Sequence, residues 1–299
     1  MTTPEPLDAA RLRSRLVDGG PYAGLDAVTV TGSTNSDLIE AAGRGAPDRT
    51  VLIAEEQQSG RGRMRRPWVS PRGYGLHVSV LTRMPEVARS AVGWLPLIAG
   101  VALVETVVGM TGLRAALKWP NDLLIGDGDE WSKAAGILVE GVAAQESLAA
   151  VIGIGINVHH GAEQLPPATG GLPATSLALQ GANAAGDEVG GNEVGGNEVG
   201  GTGIDREELA VGLLSALAEA DDLWRAHAGD VVDNGLLDRY QRRCGTLGQQ
   251  VRVDLGQHDP LSGTAEGIDT SGRLLVQGVD GAATPISAGD VVHLRRSAR

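Results

Sequence analysis

Apolar and polar positions follow two periods along this chain. Leucines at helical spacing over 8–17, bounded by Asp8 and by Gly19-Gly20-Pro21, predict a short helix. Residues 25–31 alternate like a strand, and Ser33-Thr34-Asn35-Ser36 then offers hydroxyl and amide caps to a helix over 36–42. An apolar run at 50–54 predicts a buried strand. Residues 55–73 have no apolar period and many Gly and Arg, which predicts a long loop of the kind that is functional or disordered. A strand follows at 76–81, and 92–110, apolar all round, reads as a core helix. Four strand-like runs (115–119, 122–125, 134–139 and 149–158) are joined by short Gly-rich or charged turns, so they are expected to be antiparallel neighbours. Residues 205–240 are amphipathic and helical, with a break near Gly229. Short β runs at 251–255, 261–268, 274–277 and 291–294, separated by Gly-rich turns, predict a small barrel that starts as a separate domain near Thr246.

Residues 186–201 interrupt this pattern with the repeat GDEVG, GNEVG, GNEVG. A period of five fits no solenoid, and three such units cannot bury a core, so a flexible, solvated insert is expected. The 299 residues otherwise suffice for one large or two modest domains. Phe is absent, so aliphatic side chains must fill the core. The net charge of −12 argues against broad nucleic-acid binding without excluding a local basic site. A single cysteine, Cys244, excludes an intrachain disulfide framework and a Cys-rich zinc site. The N-terminus lacks the apolar segment of a signal peptide, and the longest candidate membrane run, the 14 uncharged residues 91–104, contains Pro96 and is too short and too broken to span a bilayer. A cytoplasmic protein without a membrane partner is expected.

Only two of the 25 basic residues are lysines, Lys118 and Lys133. Codon bias explains the arginines, but not two lysines within fifteen residues of each other; a site that needs a compact or titratable amine would refuse Arg. The segment 60–68, Gly-Arg-Gly-Arg-Met-Arg-Arg-Pro-Trp, places four arginines in six positions. Glycines let its backbone approach a ligand, guanidinium groups bind phosphate or carboxylate bidentately, and Trp68 offers a flat face. A solvated charge run or a nucleic-acid loop would share this composition, but the segment runs through 70–76 directly into a strand, which anchors its exit. Lys118-Trp119-Pro120-Asn121-Asp122 is, alone, ordinary turn chemistry, and Lys133 could mark the solvent end of the strand it opens. Residues 151–158 alternate Gly with β-branched residues, so either a ligand or a neighbouring helix passes close to that strand.

Together, GSTN at 32–35, QQSGRGRMRRPW at 57–68, KWPND at 118–122, KAAGILVE at 133–140 and GIGINV at 153–158 resemble, in order and spacing, the biotin–protein ligases. The resemblance is strong over about 25–178 and looser in the C-terminal barrel. It is to the short, monofunctional members. About thirty residues precede the first motif strand, too few for a winged helix, so no operator DNA is expected as a partner. The implied fold is α+β: a mixed, largely antiparallel sheet packed by helices, like the catalytic domain of class II aminoacyl-tRNA synthetases, over 1–245, with an SH3-like β-barrel over 246–299.

The resemblance implies an ATP-dependent ligase that makes biotinyl-5′-adenylate and transfers biotin to a lysine of a biotin carboxyl carrier domain, as in acetyl-CoA carboxylase. Lys133 is implied as the main catalytic cation and substrate ligand, with Arg63 and Asp122 beside it. Ser33, Thr34, Asn35, Gln57, Arg61, Gly62, Arg63, Lys133 and Gly136 would line the biotin site. Arg61, Arg63, Arg66, Trp68, Lys118, Asn121 and Asn157 would serve ATP and the adenylate, with Trp68 stacked on adenine. Lys118, Asp122 and Asn157 would position the phosphates and the Mg²⁺ that accompanies ATP, an ion that binds through few protein oxygens, so no metal cage is expected. A lipoate–protein ligase is disfavoured because its signature of Arg-Arg followed by Gly-Gly-Gly is missing and GRGR…W is present, and a non-catalytic biotin sensor because both lysines are kept.

Overall fold

The structure, a computed structural model, describes residues 4–128, 130–142, 148–166, 172–186, 204–256 and 258–294. The insert expected at 186–201 lies, except for Gly186, outside the described residues.

The chain opens with α1 (Ala9–Leu16), capped by the Asp8 carboxylate, which accepts from the backbone N–H groups of Ala10 and Arg11. Strands β1 (Gly24–Val28) and β2 (Thr50–Ala54) are parallel and joined through α2 (Thr34–Gly43). Then come β3 (Gly75–Arg83), α3 (Leu95–Thr111), β4 (Ala115–Lys118), β5 (Asp122–Asp127), β6 (Glu130–Val142) and β7 (Ala149–Asn157). These seven strands form one sheet in the order β1-β2-β3-β7-β6-β5-β4, antiparallel at every neighbour pair but the first. Short connections between β4, β5, β6 and β7 favour antiparallel neighbours there, as expected.

Side chains alternate across the sheet. Ile137 points toward α3, whose Gly100 it approaches, whereas Gly153 lies under Asn35 of α2. Helix α3, with α5 (Arg206–Ala226) packed on it, therefore covers one face, and α2 covers part of the other. The open remainder of that second face is the floor of the cavity described below. Without Phe, the core is aliphatic, with Trp94, Trp119, Trp224 and Tyr240 among its largest fully buried side chains.

After α4 (Leu177–Gly186), α5 and α6 (Leu236–Arg243), β8 (Gln250–Leu255), β9 (His258–Ile268), β10 (Leu274–Gln277), β11 (Ala283–Ile286) and β12 (Asp290–His293) form a five-stranded antiparallel sheet, in the order β11-β10-β9-β8-β12. It docks through two indoles: Trp94 Nε1 donates to Thr270 O (3.0 Å) and Trp119 Nε1 to Gly272 O (3.1 Å). Its apolar side chains join the same continuous core as α3.

Several boundaries differ from expectation. Helix α2 starts at Thr34 because Ser33, whose hydroxyl accepts from Ser36 N, is the cap; Thr34 and Asn35 lie in the first turn. A 3₁₀ turn, Arg89–Trp94, precedes α3, and β1 ends at Val28. The helical region 205–240 does break near Gly229, at φ 89°, as expected, and so consists of α5 and α6. Strand β11 and helix α4 were not expected: β11 is exposed at three of its four residues, and α4 reads LALQGANAAG, rich in small residues.

Candidate active site

All fifteen side chains or glycines singled out by motif line one cavity of about 350 Å³. They come from α2, the loop after β2, the β4–β5 turn, β6 and β7, so the fold gathers what the sequence disperses.

Lys133 reaches the cavity because β6 carries an irregularity. Leu123 pairs with Ala135 and Leu124 with Lys133, so Ala134 is an extra residue in β6. Residues three apart in a regular strand face opposite sides; this bulge puts Lys133 and Gly136 on the same one, with Lys133 Nζ 3.5 Å from where a Gly136 side chain would begin. The strand is also held from outside. Lys133 N donates to Pro173 O (2.8 Å) and Lys133 O accepts from Thr175 N (2.9 Å). Lys133 Nζ lies 2.6 Å from Asp122 Oδ1, and both side chains are largely buried. Lys118 enters from β4, 8% exposed. Burial pushes its ammonium below the usual lysine range; Asp122 pulls it back and Lys133 pushes it further down. Asn121 spans the turn: its Nδ2 donates to Ile137 O (2.9 Å) while its own carbonyl accepts from Ile137 N (2.9 Å). Asn157 Nδ2 donates to Thr175 O (2.9 Å).

The opposite end is a saturated polar cluster. Gln57 Oε1 accepts from Thr34 N (2.9 Å) and Thr34 Oγ1 (3.1 Å). Asn35 Nδ2 donates to Glu140 Oε2 (2.8 Å) and Leu138 O (3.3 Å), and Asn35 Oδ1 accepts from Ser79 Oγ (2.7 Å). The Asn35 amide is thus committed to the protein and acts on the cavity by fixing Glu140 and the neck of α2. The glycines of β7 are now explained. A side chain at Gly153 would begin 2.1 Å from Asn35 Oδ1, and one at Gly155 would begin 2.6 Å from the Trp68 indole. A helix residue passes close at the first and the arginine loop at the second.

That loop closes on itself. Trp68 N donates to Gly60 O (2.8 Å) and Gly62 N to Arg66 O (2.8 Å), which makes 60–68 a hairpin. Trp68 lies on the sheet at Gly136 and Gly155, with Lys133 Nζ 6.0 Å from its ring centre. Three of its four arginines already have partners. Arg61 pairs with Glu140 (3.2 Å) and Arg66 with Asp290. Arg63 donates to Asn121 Oδ1 (3.3 Å) and Gly289 O (3.2 Å). Burial lowers the Arg63 pKa, and the Asp290 and Asp122 carboxylates oppose that shift.

Glu140, Ser79, the 172–175 segment and the Gly289-Asp290 pair are members of the site that motif reading did not mark. Glu140 ends a motif strand and was within reach. Asp290 was not, since its partner Arg66 is 224 positions away.

Such a cavity, floored by glycine-bearing strands and ringed by three arginines and two lysines, suits a ligand with an anionic end and an apolar body. Residues 29–157 match the model of the biotin/lipoate A/B protein ligase family, and residues 246–294 that of the biotin protein ligase C-terminal domain. The chain is 38% identical to the biotin–[acetyl-CoA-carboxylase] ligase of Mycobacterium tuberculosis, over 97% of each chain. The chain belongs to the biotin protein ligase family. It is also 32% identical to the bifunctional ligase/repressor BirA of Salmonella typhimurium, over 96% of this chain and 79% of that one. Among solved structures, the biotin protein ligase of Aquifex aeolicus in complex with biotin and ATP superposes with a TM-score of 0.67 at 24% identity, covering 92% of this chain and all of that one, which shows the shared fold. The α+β architecture, with its additional C-terminal antiparallel sheet, is that of the family's ligases.

Proposed function

We propose that the enzyme joins biotin to a carrier domain in two steps at this cavity. A biotin carboxylate oxygen attacks the α-phosphorus of ATP, and the bond to pyrophosphate breaks, giving biotinyl-5′-adenylate. The neutral ε-amine of a lysine on a biotin carboxyl carrier domain, such as that of acetyl-CoA carboxylase, then attacks the acyl carbon. AMP leaves and the amine proton is lost to solvent or a neighbouring base. The first step forces two anions together, so fixed cations must offset their repulsion and the charge that develops on phosphorus. Lys133, paired with Asp122, would do so for both substrates. Arg61 and Arg63 would receive the carboxylate and the α-phosphate, Arg66 would support the hairpin, and Lys118, Asn121 and Asn157 would position the phosphates. Ser33, Thr34, Asn35, Gln57, Gly62 and Gly136 would line the biotin end, and Trp68 would face adenine after leaving its seat on Gly155.

Mg²⁺ would arrive with the triphosphate. Among the described residues, no three His, Cys, Asp or Glu side chains converge, and Asp122 and Asp290 are each engaged by a cation. The residues present make no cage for the ion, which would be held mainly by substrate phosphates and water, and no step is assigned to it. We further infer that the catalytic unit ends at residue 245 and that the enzyme works in the cytoplasm.

The observation that carries this reading is the meeting of both lysines and three arginines in one cavity of an otherwise acidic chain. ATP–pyrophosphate exchange tests it: exchange triggered by biotin and not by lipoate is expected. Exchange with lipoate alone would transfer the chain to the lipoate branch, and tight biotin binding without exchange would make it a sensor.

A further inference from the structure

The arginine hairpin meets the C-terminal sheet across the cavity, and the two sides differ in how firmly they are held. The hairpin tip, Arg63–Arg65, is one 3₁₀ turn with no buried residue, and Met64 and Arg65 sit at φ 54° and 58°. Bulky side chains rarely adopt that left-handed conformation, which persists only where the surroundings hold it. The facing segment is packed against β8. Asp290 opens β12 in register with Asp254 of β8, and a side chain at Gly289 would begin 2.6 Å from Val253 Cγ1, so the backbone there is packed to contact. Two links join the sides: Arg66 pairs with Asp290, and Arg63 bridges Asn121 Oδ1 to the Gly289 carbonyl.

We propose that Asp290, with the Gly289 carbonyl, is a positioning residue that latches the arginine hairpin shut from the C-terminal sheet. The packed side sets the geometry of the strained tip. Through the latch, the C-terminal sheet governs how long the hairpin stays closed. On the adenylation reading above, it thereby governs how long biotinyl-adenylate stays bound.

The latch is tested first without substrates, by trypsin cleavage of the Arg63–Met64 bond in the full chain, read by mass spectrometry. Asp290→Asn, which keeps the shape and removes the charge, is expected to speed cleavage about fivefold, the scale of one partly exposed ion pair. The thermal midpoint, measured on the same samples, is expected to stay close to that of the parent. The charge swap Asp290→Arg with Arg66→Asp is expected to restore slow cleavage, while each single change leaves it fast, a rescue that a merely structural role would not give. Equal cleavage in parent and Asp290→Asn, or no rescue by the swap, overturns the latch. Second, escape of biotinyl-adenylate into free solution is expected to rise in Asp290→Asn by a similar factor. Faster cleavage with unchanged escape overturns the link to residence time. If the parent forms no adenylate at all, the reaction assignment fails, and the cleavage comparison still decides the latch.

Discussion

Lys133 and Lys118 are the chain's two lysines, and both amines open into one cavity. At Lys133 the reason is geometric. Its compact ammonium sits 2.6 Å from a single Asp122 oxygen, in a space bounded by the Trp68 ring and the bare backbone of Gly136. A guanidinium is planar, broader and spreads its charge over three nitrogens, so it cannot take that place without leaving Asp122 or pushing Trp68 aside. Lys133→Arg is therefore expected to keep the fold and to lower biotin-dependent ATP–pyrophosphate exchange on the order of a hundredfold, the scale of one lost transition-state contact. Exchange within about threefold of the parent would mean that charge alone suffices at this position. The saturation of Asn35 makes the complementary point: a residue can line a site while its polar atoms serve the scaffold.

At the scale of elements, the site depends on irregularities of the sheet. The bulge at Ala134 aims Lys133, and the glycines of β7 make room for α2 and for Trp68. Gly155→Ala tests the second. Its new methyl would begin 2.6 Å from the indole, so Trp68 must lift off β7 or the sheet must give, an overpacking cost of about 1–3 kcal/mol. A lower thermal midpoint and altered tryptophan emission are expected, and an unchanged spectrum would show that the indole does not rest there in solution. These devices were only half legible in the sequence. The strands of the main sheet announced themselves by apolar runs, and the alternating glycines announced a close approach. What approaches was not readable, because Asn35 and Trp68 come from segments more than eighty residues away. The bulge was invisible, since KAAGILVE reads as a regular strand. Strand β11 was missed because exposed residues carry no alternation. The motif side chains were found because five short motifs together resemble those of the biotin–protein ligases, and Asp290 was not because its partnership is purely tertiary.

The whole molecule is acidic while its cavity is basic, so small anions are drawn to one place without the broad positive field that nucleic acid requires. One core runs through both sheets, and therefore a single unfolding transition is expected. Its pH dependence draws on two buried histidines, His77 and His160, and a half-buried one, His293. His77 of β3 is 1% exposed, neither ring nitrogen has a protein partner, and burial, with His160 and Arg206 nearby, pushes its pKa down to about 4. His160, 2.8 Å from Ser70 Oγ, and His293, near Lys118, are likewise lowered to about 4, chiefly by burial. In the unfolded chain each would titrate near 6.5. Above that pH neither state binds these protons, and the three contribute no slope. As pH falls from about 6.5 toward 4, the unfolded chain takes up protons that the folded one refuses, so stability drops by about 1.4 kcal/mol per pH unit for each fully titrating histidine. His77→Gln keeps a neutral polar side chain but cannot be protonated. Urea unfolding of parent and variant at pH 7, 6, 5 and 4.5 is expected to show the variant losing less stability on acidification, with the two curves converging from pH 7 downward. Parallel curves would show that the protein opens at His77 and solvates it before global unfolding.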